Sequence, residues 1–358
     1  MHIVLVISSV GRGGAEKVLA TMANWWAEQG NQVSVVVLDH GEISYSLHPS
    51  VTIHPLNLLS ASSSLWEAVR DNGRRIVSLR RTVRALHPDV VMSFMDGVNT
   101  LAAIALTGMA PLIVTEHAEP GETKGGIWRL LRLAAYPLAA RVVVQTPEAM
   151  DYFPWYIKGK SLQLFNPIES IPVKPAGRTE KIVMGMGRFS EEKRFDFLIR
   201  CFARASEGTG WRLMLVGDGP ERDHLEALSG TLSVRESVIF TGWLEDPYTA
   251  LAKGRIIAST SRSEGFGNAL VEGMGLGLPA IATDCPHGPR YIIRNGVDGV
   301  LVDMDDEACF TSLLRRLMRD DEFREGLAAR APEALDRFSR DRIMPVWDKL
   351  LHEVAACR

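Results

Sequence analysis

The sequence predicts an α/β protein of two doubly wound, Rossmann-like domains, and three observations carry that prediction. Short β-branched runs alternate with helical patterns of apolar residues along the whole chain. The alternation stops at 166–179, a segment with Pro167, Pro172 and Pro175 and no long apolar run, and then restarts, as at an interdomain linker. With 358 residues, the chain also exceeds the roughly 250 to 300 residues that one hydrophobic core serves.

Before the linker, strands are expected at 3–7, 32–38, 90–94, 112–115 and 141–145, with helices at 15–29 and 99–107. Strand, helix, strand at this spacing builds a parallel sheet covered on both faces. After the linker come strands at 181–186, 212–216, 238–241, 256–259, 279–283 and 299–302, with helices at 195–207, 221–228 and 269–275. Two amphipathic helices, 307–318 and 341–356, end the chain, the second with Ile343, Val346, Trp347, Leu350, Leu351 and Val354 at helical spacing.

Composition excludes several classes of function. Hydrophobic residues make up 46% and charged residues 23% of the chain, the balance of a soluble globular protein with an ample core. Lys plus Arg number 40 against 43 Asp plus Glu, so the global basic field of a nucleic-acid binder is absent. Cys201, Cys285, Cys309 and Cys357 show no C-x-x-C spacing, which points away from zinc and disulfides and toward a reducing cytoplasm. The apolar run 3–7 is too short for a signal-peptide core and reads as a strand. Nowhere do about 18 membrane-like apolar residues run together, so the chain is not expected to span a membrane.

The chemistry-bearing residues sit where strands give way to helices. The first such turn, 8–17, carries Gly11, Gly13 and Gly14 ahead of Glu16 and Lys17. Its glycines suit a phosphate at a helix N-terminus, yet it is neither a Walker A loop nor a dinucleotide fingerprint, and tight packing explains it equally well. In the second domain, Gly185, Gly187, Arg188 and Lys193 follow the first strand, setting two cations over a helix start in a manner that suits a diphosphate. Gly217, Asp218, Gly219 and Pro220 repeat the strand, glycine turn, helix design, which by itself is also a simple turn.

The decisive stretch is 263–272, between the strand 256–259 and a helix. Glu264 in its loop can accept from sugar hydroxyls and Glu272 inside the helix from ribose hydroxyls. Between them, the N–H groups of Gly267, Asn268, Ala269 and Leu270 form a helix start that faces phosphate.

These motifs, in this order, resemble the retaining glycosyltransferases of the GT-B fold, specifically the large family 4. The family's E-x7-E element is matched by Glu264 and Glu272 and its basic pair by Arg188 and Lys193. The resemblance spans the chain through G-G-A-E from Gly13 to Glu16, T-E-H from Thr115 to His117, G-D-G-P from Gly217 to Pro220 and F-x-G from Phe240 to Gly242. More narrowly, the phrases at 13–19, 93–96 and 128–131 are similar to bacterial enzymes acting on polyprenyl-diphosphate-linked saccharides. Among these are N-acetylgalactosamine transferases of N-glycan assembly and amylovoran-type transferases. The chain departs from many relatives at Tyr291, where they carry an acid.

The resemblance implies an acceptor-binding domain at 1–168, a nucleotide-sugar domain at 169–340 facing it across a crevice, and a helix at 341–358 crossing back onto the first. It implies a donor set of Gly14, Gly187, Gly217, Gly219, Gly242, Trp243, Phe266, Gly267, Asn268, Ala269, Leu270 and Glu272, with Arg188, Lys193, Glu264 and His117 as catalytic residues. No cofactor and no metal are implied, because cations and helix amides neutralise the leaving diphosphate. Partners are then a nucleotide-sugar donor, a lipid-linked saccharide and an anionic membrane surface, but no nucleic acid.

His117 ends a strand and is expected to touch the transferred sugar and order the acceptor. Residues 65–86 hold six arginines against two acids, and Arg70, Arg74, Arg81 and Arg84 fall within one ~80° sector opposite Ile76, Leu79, Val83 and Leu86. This face suits anionic lipid or an acceptor diphosphate, although Gly73 is a point where the helix could begin. Trp128, Arg129 and Arg132 read as part of an interface helix, and Asp96 and Asn99 as acceptor-sugar contacts.

The expected activity is transfer of a hexose or N-acetylhexosamine from a nucleotide-diphosphate sugar, UDP-linked, by a protein on the inner face of the cell membrane. Rival readings are a sugar-nucleotide epimerase or phosphorylase on the same fold, a transferase with a soluble acceptor, and a two-lobed binding protein. A phosphorylase requires a pyridoxal-binding lysine, for which Lys181, Lys193 and Lys253 make a poor case. A binding protein requires export.

Overall fold

Parallel strands buried on both faces form the cores of two units, Met1–Pro167 with Arg340–Arg358, and Ile168–Ser339. This computed structural model describes residues 1–11, 13–39, 44–58, 64–117, 126–173 and 180–356.

The first unit holds strands β1 (His2–Ile7), β2 (Gln32–Val37), β3 (Thr52–Pro55), β4 (Val90–Phe94), β5 (Leu112–Thr115), β6 (Arg141–Val144) and β7 (Ser161–Gln163). They lie in the order β3-β2-β1-β4-β5-β6-β7. Its helices are α1 (Gly14–Glu28), α2 (Leu65–Leu86), α3 (Asp96–Ala105), α4 (Gly126–Ala135), α5 (Pro147–Asp151) and α6 (Trp155–Lys158). Alternation along the strands sorts the core into two layers. Ile3, Leu5, Ile7, Val33 and Val35 pack on the α1 face, and Val4, Val6, Val36 and Val91 on the face of α2 and α3.

The second unit holds β8 (Ile182–Met186), β9 (Arg212–Val216), β10 (Val238–Gly242), β11 (Ile256–Ser259), β12 (Ala280–Thr283) and β13 (Gly299–Val302), in the order β10-β9-β8-β11-β12-β13. Its helices are α7 (Phe195–Ala205), α8 (Arg222–Thr231), α9 (Pro247–Leu251), α10 (Asn268–Gly275), α11 (Pro289–Ile292), α12 (Glu307–Arg319), α13 (Asp321–Ala328) and α14 (Glu333–Phe338).

The last helix, α15 (Arg340–Ala356), packs with the first unit. Met344, Trp347, Leu351 and Val354 sit in the same core cluster as Trp26 and Val33. Both tryptophan N–H groups are satisfied there: Trp347 Nε1 donates to the Phe165 carbonyl at 2.9 Å and Trp26 Nε1 to Asp348 Oδ1 at 3.1 Å.

Helix α2 runs unbroken through Gly73. Its start is fixed instead by Ser64, whose Oγ accepts from the Glu67 amide at 3.3 Å. Its stop is His87, in left-handed conformation with φ 49°. Strands β3 and β7 and the helices α5, α6, α9, α11, α13 and α14 have no counterpart in the sequence expectations. β3 is a half-exposed edge strand ending in Pro55, and β7 spans 3 residues, so neither offers an apolar run to read. Among the described residues, no helix is long and apolar enough to cross a membrane.

Candidate active site

The strand order of the second sheet reverses between β8 and β11, and in open α/β sheets ligands bind beyond the carboxyl ends of the strands at such a point. The loop after β8 supplies Lys193, on a 3-10 turn at Glu191–Lys193, and the loop after β11 supplies Glu264. They meet: Lys193 Nζ lies 2.7 Å from Glu264 Oε1, which also accepts from Ser261 Oγ at 2.6 Å. No donor from the described residues reaches Glu264 Oε2, so that oxygen is open to a ligand hydroxyl. Thr260 Oγ1 braces the two loops by donating to the Arg194 carbonyl at 2.9 Å. Burial pulls the pKa of Lys193 down, but the charge and hydrogen bond of Glu264, helped by Glu192, outweigh it and hold the ammonium above the usual lysine value. Arg188, one loop residue earlier than Phe189, is exposed and has no ion pair among the described residues.

The glycines of this edge pack backbone on backbone. A Cβ on Gly217 would overlap the Gly187 carbonyl, and one on Gly219 the Phe189 carbonyl. Three loops are thereby laced together. Gly187 N–H donates to the Val216 carbonyl at 3.0 Å, Phe189 N–H to Asp218 at 2.9 Å and Gly217 N–H to Gly242 at 3.0 Å. Gly187, Gly217, Gly219 and Gly242 therefore shape the rim on which Arg188 and Lys193 stand. Trp243, the next residue, is 37% exposed.

Helix α10 opens after Gly267, which has φ +105°. Two expectations change here. The Leu270 amide is already engaged, closing on the Gly267 carbonyl at 2.9 Å, so a phosphate at this helix end would meet the amides before it, such as that of Ala269. Phe266 is a core residue: its side chain is buried edge-on against Phe338 with ring centroids 5.0 Å apart, out of reach of a donor. Glu272 is buried on α10. The segment Cys285–Gly288 packs over the Glu264 loop so closely that a Cβ on Gly288 would overlap the Phe266 carbonyl. Burial, then the Glu264 charge, pushes the Cys285 thiol up to about 12, which leaves it an inert packing group.

In the first unit, the loop after β1 caps itself. Glu16 folds back over Gly13 and accepts from Ser9 Oγ at 3.2 Å, so an anion approaching Gly14 at the start of α1 meets a carboxylate. His117 follows β5 and stacks on Phe94, with ring centroids 5.2 Å apart and planes 14° off parallel. Its Nε2 lies 3.0 Å from Thr115 Oγ1 and its Nδ1 2.7 Å from Gln145 Nε2. Burial lowers its pKa to about 4, so the ring is neutral at physiological pH. Of the glycine-bearing loop expected to follow it, 119–126, all but Gly126 lies outside the described residues, as does Arg12.

Behind His117 is a buried polar cluster. Glu116 accepts from the Tyr136 hydroxyl and pairs with Arg132 at 3.7 Å. Arg132 is 1% exposed and lies over the Tyr152 ring at 5.0 Å, so it is a core cation and not a membrane contact. Asn99 is likewise corrected. It is fully buried and spends its groups internally, accepting from Ser93 Oγ at 2.7 Å and donating to the Thr115 carbonyl at 2.8 Å and the Tyr136 hydroxyl at 3.3 Å. Asp96, half-buried, opens α3 and accepts from the Gly97 amide at 2.7 Å.

Burial lifts the Glu116 carboxyl to about 7, against the pull of Arg132 and Tyr136. Because the folded state then holds a proton that the unfolded state has released, stability falls as pH rises from the ordinary carboxyl value of 4.5 through about 7. Denaturant titrations of wild type should show this fall, and Glu116→Gln should flatten it; an unchanged slope contradicts the assignment.

On α2, Arg70, Arg74, Arg81 and Arg84 are exposed, while Leu79 and Val83 are buried. Arg70 pairs with Asp71 at 3.3 Å, and Arg74, Arg81 and Arg84 have no ion pair among the described residues. Trp66, 86% exposed, and Val77 share the arginine sector, which the same angular count on the sequence could have shown. With Arg132 turned inward, α4 presents Ile127, Trp128, Arg129, Leu130 and Leu131 to solvent, and α6 presents Trp155. Among the described residues, no three His, Cys, Asp or Glu side chains group as metal ligands.

Comparison with known proteins accounts for both units. A family model described as glycosyl transferase 4-like domain matches residues 13–158, and one described as glycosyl transferases group 1 matches residues 180–320. The chain is 27% identical, over 99% of each sequence, to the Campylobacter jejuni GalNAc-alpha-(1->4)-GalNAc-alpha-(1->3)-diNAcBac-PP-undecaprenol alpha-1,4-N-acetyl-D-galactosaminyltransferase. It is 25% identical to the amylovoran biosynthesis glycosyltransferase AmsD of Erwinia amylovora, over 98% of this chain and 99% of that protein. The structure of Anabaena HepE in complex with UDP and glucose superposes with a TM-score of 0.81 at 20% identity, covering 99% of this chain and 100% of that one. Matched in both halves and over its full length, the chain belongs to the group 1 glycosyltransferases and has their GT-B fold.

Proposed function

We propose that the protein is a metal-independent, retaining transferase that moves a hexose or N-acetylhexosamine from a UDP-sugar to a lipid-diphosphate-linked saccharide. The Lys193–Glu264 pair at the switch point, with Arg188 exposed beside it, carries the proposal. Lys193 has two further N–H donors and Arg188 a guanidinium with no ion pair among the described residues, enough to neutralise a diphosphate as it departs. Glu264 Oε2 is placed to accept a hydroxyl of the sugar, and Glu272 is assigned to the ribose.

In the proposed step the bond from the anomeric carbon to the β-phosphate oxygen breaks, and the departing oxygen takes the proton of the acceptor hydroxyl. The acceptor oxygen bonds to the oxocarbenium-like carbon on that same face, so configuration is retained. Glu264 is assigned to positioning the sugar through Oε2, with Oε1 held by Lys193 and Ser261, and not to a covalent intermediate. This differs from glycosidases, whose two carboxyl groups flank one bond. His117, neutral, orders the sugar, and Asp96 faces the acceptor.

The relatives named for undecaprenol-diphosphate substrates, and HepE with UDP, support the substrate classes. For the carrier, the arginine sector of α2 and the exposed apolar side chains of α4 and α6 suit a peripheral site on an anionic leaflet. Incubation of nucleotide sugars with and without lipid-diphosphate saccharides, with product linkage read by NMR, tests the activity. Release of UDP dependent on the lipid acceptor supports it, and epimerisation without acceptor overturns it.

The surface is tested separately. Replacing Arg74, Arg81 and Arg84 together by Gln should leave folding and UDP binding intact and weaken binding to anionic vesicles by about 1 kcal/mol per charge. Activity should fall more on a lipid-diphosphate acceptor than on a water-soluble glycoside. Equal vesicle binding and equal use of both acceptors would show a merely solvated face.

A further inference from the structure

The second unit holds a cavity of about 510 Å³, walled by the loop after β8, by α7, by the start of α8 and by Arg262 from the loop after β11. Two of its cations are already spent. Arg194 pairs with Asp305 at 2.6 Å and lies over the Phe197 ring at 4.7 Å, and Arg200 pairs with Asp196 at 2.8 Å and with Glu307 at 3.4 Å. Glu191, Glu221, His224 and Arg262 differ from these. Among the described residues their side chains make no ion pair or hydrogen bond, either with one another or with a neighbour. Three of the four are exposed, and Glu221 is half-buried.

These groups restrict what the cavity can hold. The two carboxylates only accept hydrogen bonds, the guanidinium of Arg262 only donates, and the imidazole of His224 brings two ring nitrogens. Ser190 Oγ gives its hydrogen to Glu192 Oε1 at 2.6 Å, so toward the cavity it can only accept. A phosphate that reached Arg262 would face Glu191 and Glu221, and an amine that reached either acid would face three guanidinium groups. A ligand of many hydroxyls donates and accepts at once and carries no charge to be repelled. Phe195 and Leu225, 5% and 2% exposed, add an apolar surface that suits the C–H face of a sugar ring. The volume lies within the roughly 300 to 1,000 Å³ of small-molecule sites.

We propose that this cavity is an accessory saccharide site, distinct from the donor site and specific for an uncharged mono- or disaccharide unit. It rests on the transferase reading only for the presence of a saccharide. Ser190, Glu191 and Arg194 flank Lys193 along the chain, but Lys193 itself turns to Glu264 and does not line the cavity. Arg262 is fixed relative to the same turn, because its N–H donates to the Glu192 carbonyl at 2.8 Å. Acids on the turn and on α8 and a cation on the loop after β11 therefore face one ligand from different elements.

The test is methyl NMR of the full chain labelled at leucine, with UDP present at saturation and Leu225 assigned through Leu225→Ile. The probes are the methyl α-glycosides of glucose, galactose, N-acetylglucosamine and N-acetylgalactosamine, maltose, and inorganic phosphate. At least one saccharide should shift the Leu225 methyl signals saturably, and phosphate should not. The double variant Glu221→Ala/Arg262→Ala should weaken that binding by about 10- to 100-fold, as for lost hydrogen bonds to charged groups. Neither side chain holds a structural contact among the described residues, so the other leucine signals should keep their positions. No saturable shift with any saccharide, a shift that survives in the double variant, or a shift produced by phosphate would overturn the proposal. Failure of the transferase reading is seen instead in acceptor-dependent UDP release, which the Leu225 signals do not report.

Discussion

Replacing Lys193 by alanine lowers kcat by about 100- to 1,000-fold, the loss of roughly 2.7 to 4 kcal/mol that accompanies removal of one preorganised donor to a developing oxyanion. The physical reason is that the diphosphate gains charge as it leaves, so a fixed cation beside it stabilises the transition state more than the bound substrate. Arg188→Ala should act in the same direction. Lys193→Ala has a second consequence, because it leaves Glu264 with only Ser261 holding Oε1. The double variant Lys193→Ala/Glu264→Gln should therefore lose less than the sum of the two single losses. Rapid-quench assays of sugar transfer read these changes; near wild-type kcat in either single cation variant contradicts the assignment.

Glu264→Ala and Glu272→Ala should fail differently. Glu264 holds Lys193 and, in the proposed step, accepts a sugar hydroxyl at Oε2, so its removal should depress kcat as well as donor affinity. A ribose contact by Glu272 is made equally in ground and transition states, so Glu272→Ala should raise KM for the nucleotide sugar and spare kcat. Calorimetry with UDP alone separates the two, and unchanged UDP binding by Glu272→Ala removes its ribose role.

The doubly wound sheets were legible because buried parallel strands are continuous apolar runs, as in β1 and β2, and need no partner to be recognised. The direct contact of Lys193 with Glu264 was not legible, since the strand order that places their loops side by side is a property of the sheet. Arg132 was misplaced for a related reason. On a helical wheel an arginine among leucines reads as a snorkelling surface residue, and its burial rests on partners from other elements, Glu116 and the Tyr152 ring among them. Phe266 beside Glu264 read as part of the donor site because of its position, whereas its partner Phe338 comes from α14, which the sequence did not reveal.

The most direct measurement is a calorimetric titration of UDP in the presence of EDTA, performed on wild type and on Lys193→Ala. If the cations at the second unit's switch point hold the diphosphate, wild type binds UDP without added metal, and Lys193→Ala binds it markedly more weakly. Binding that requires Mg²⁺ or Mn²⁺, or equal affinity in the two proteins, would contradict that assignment.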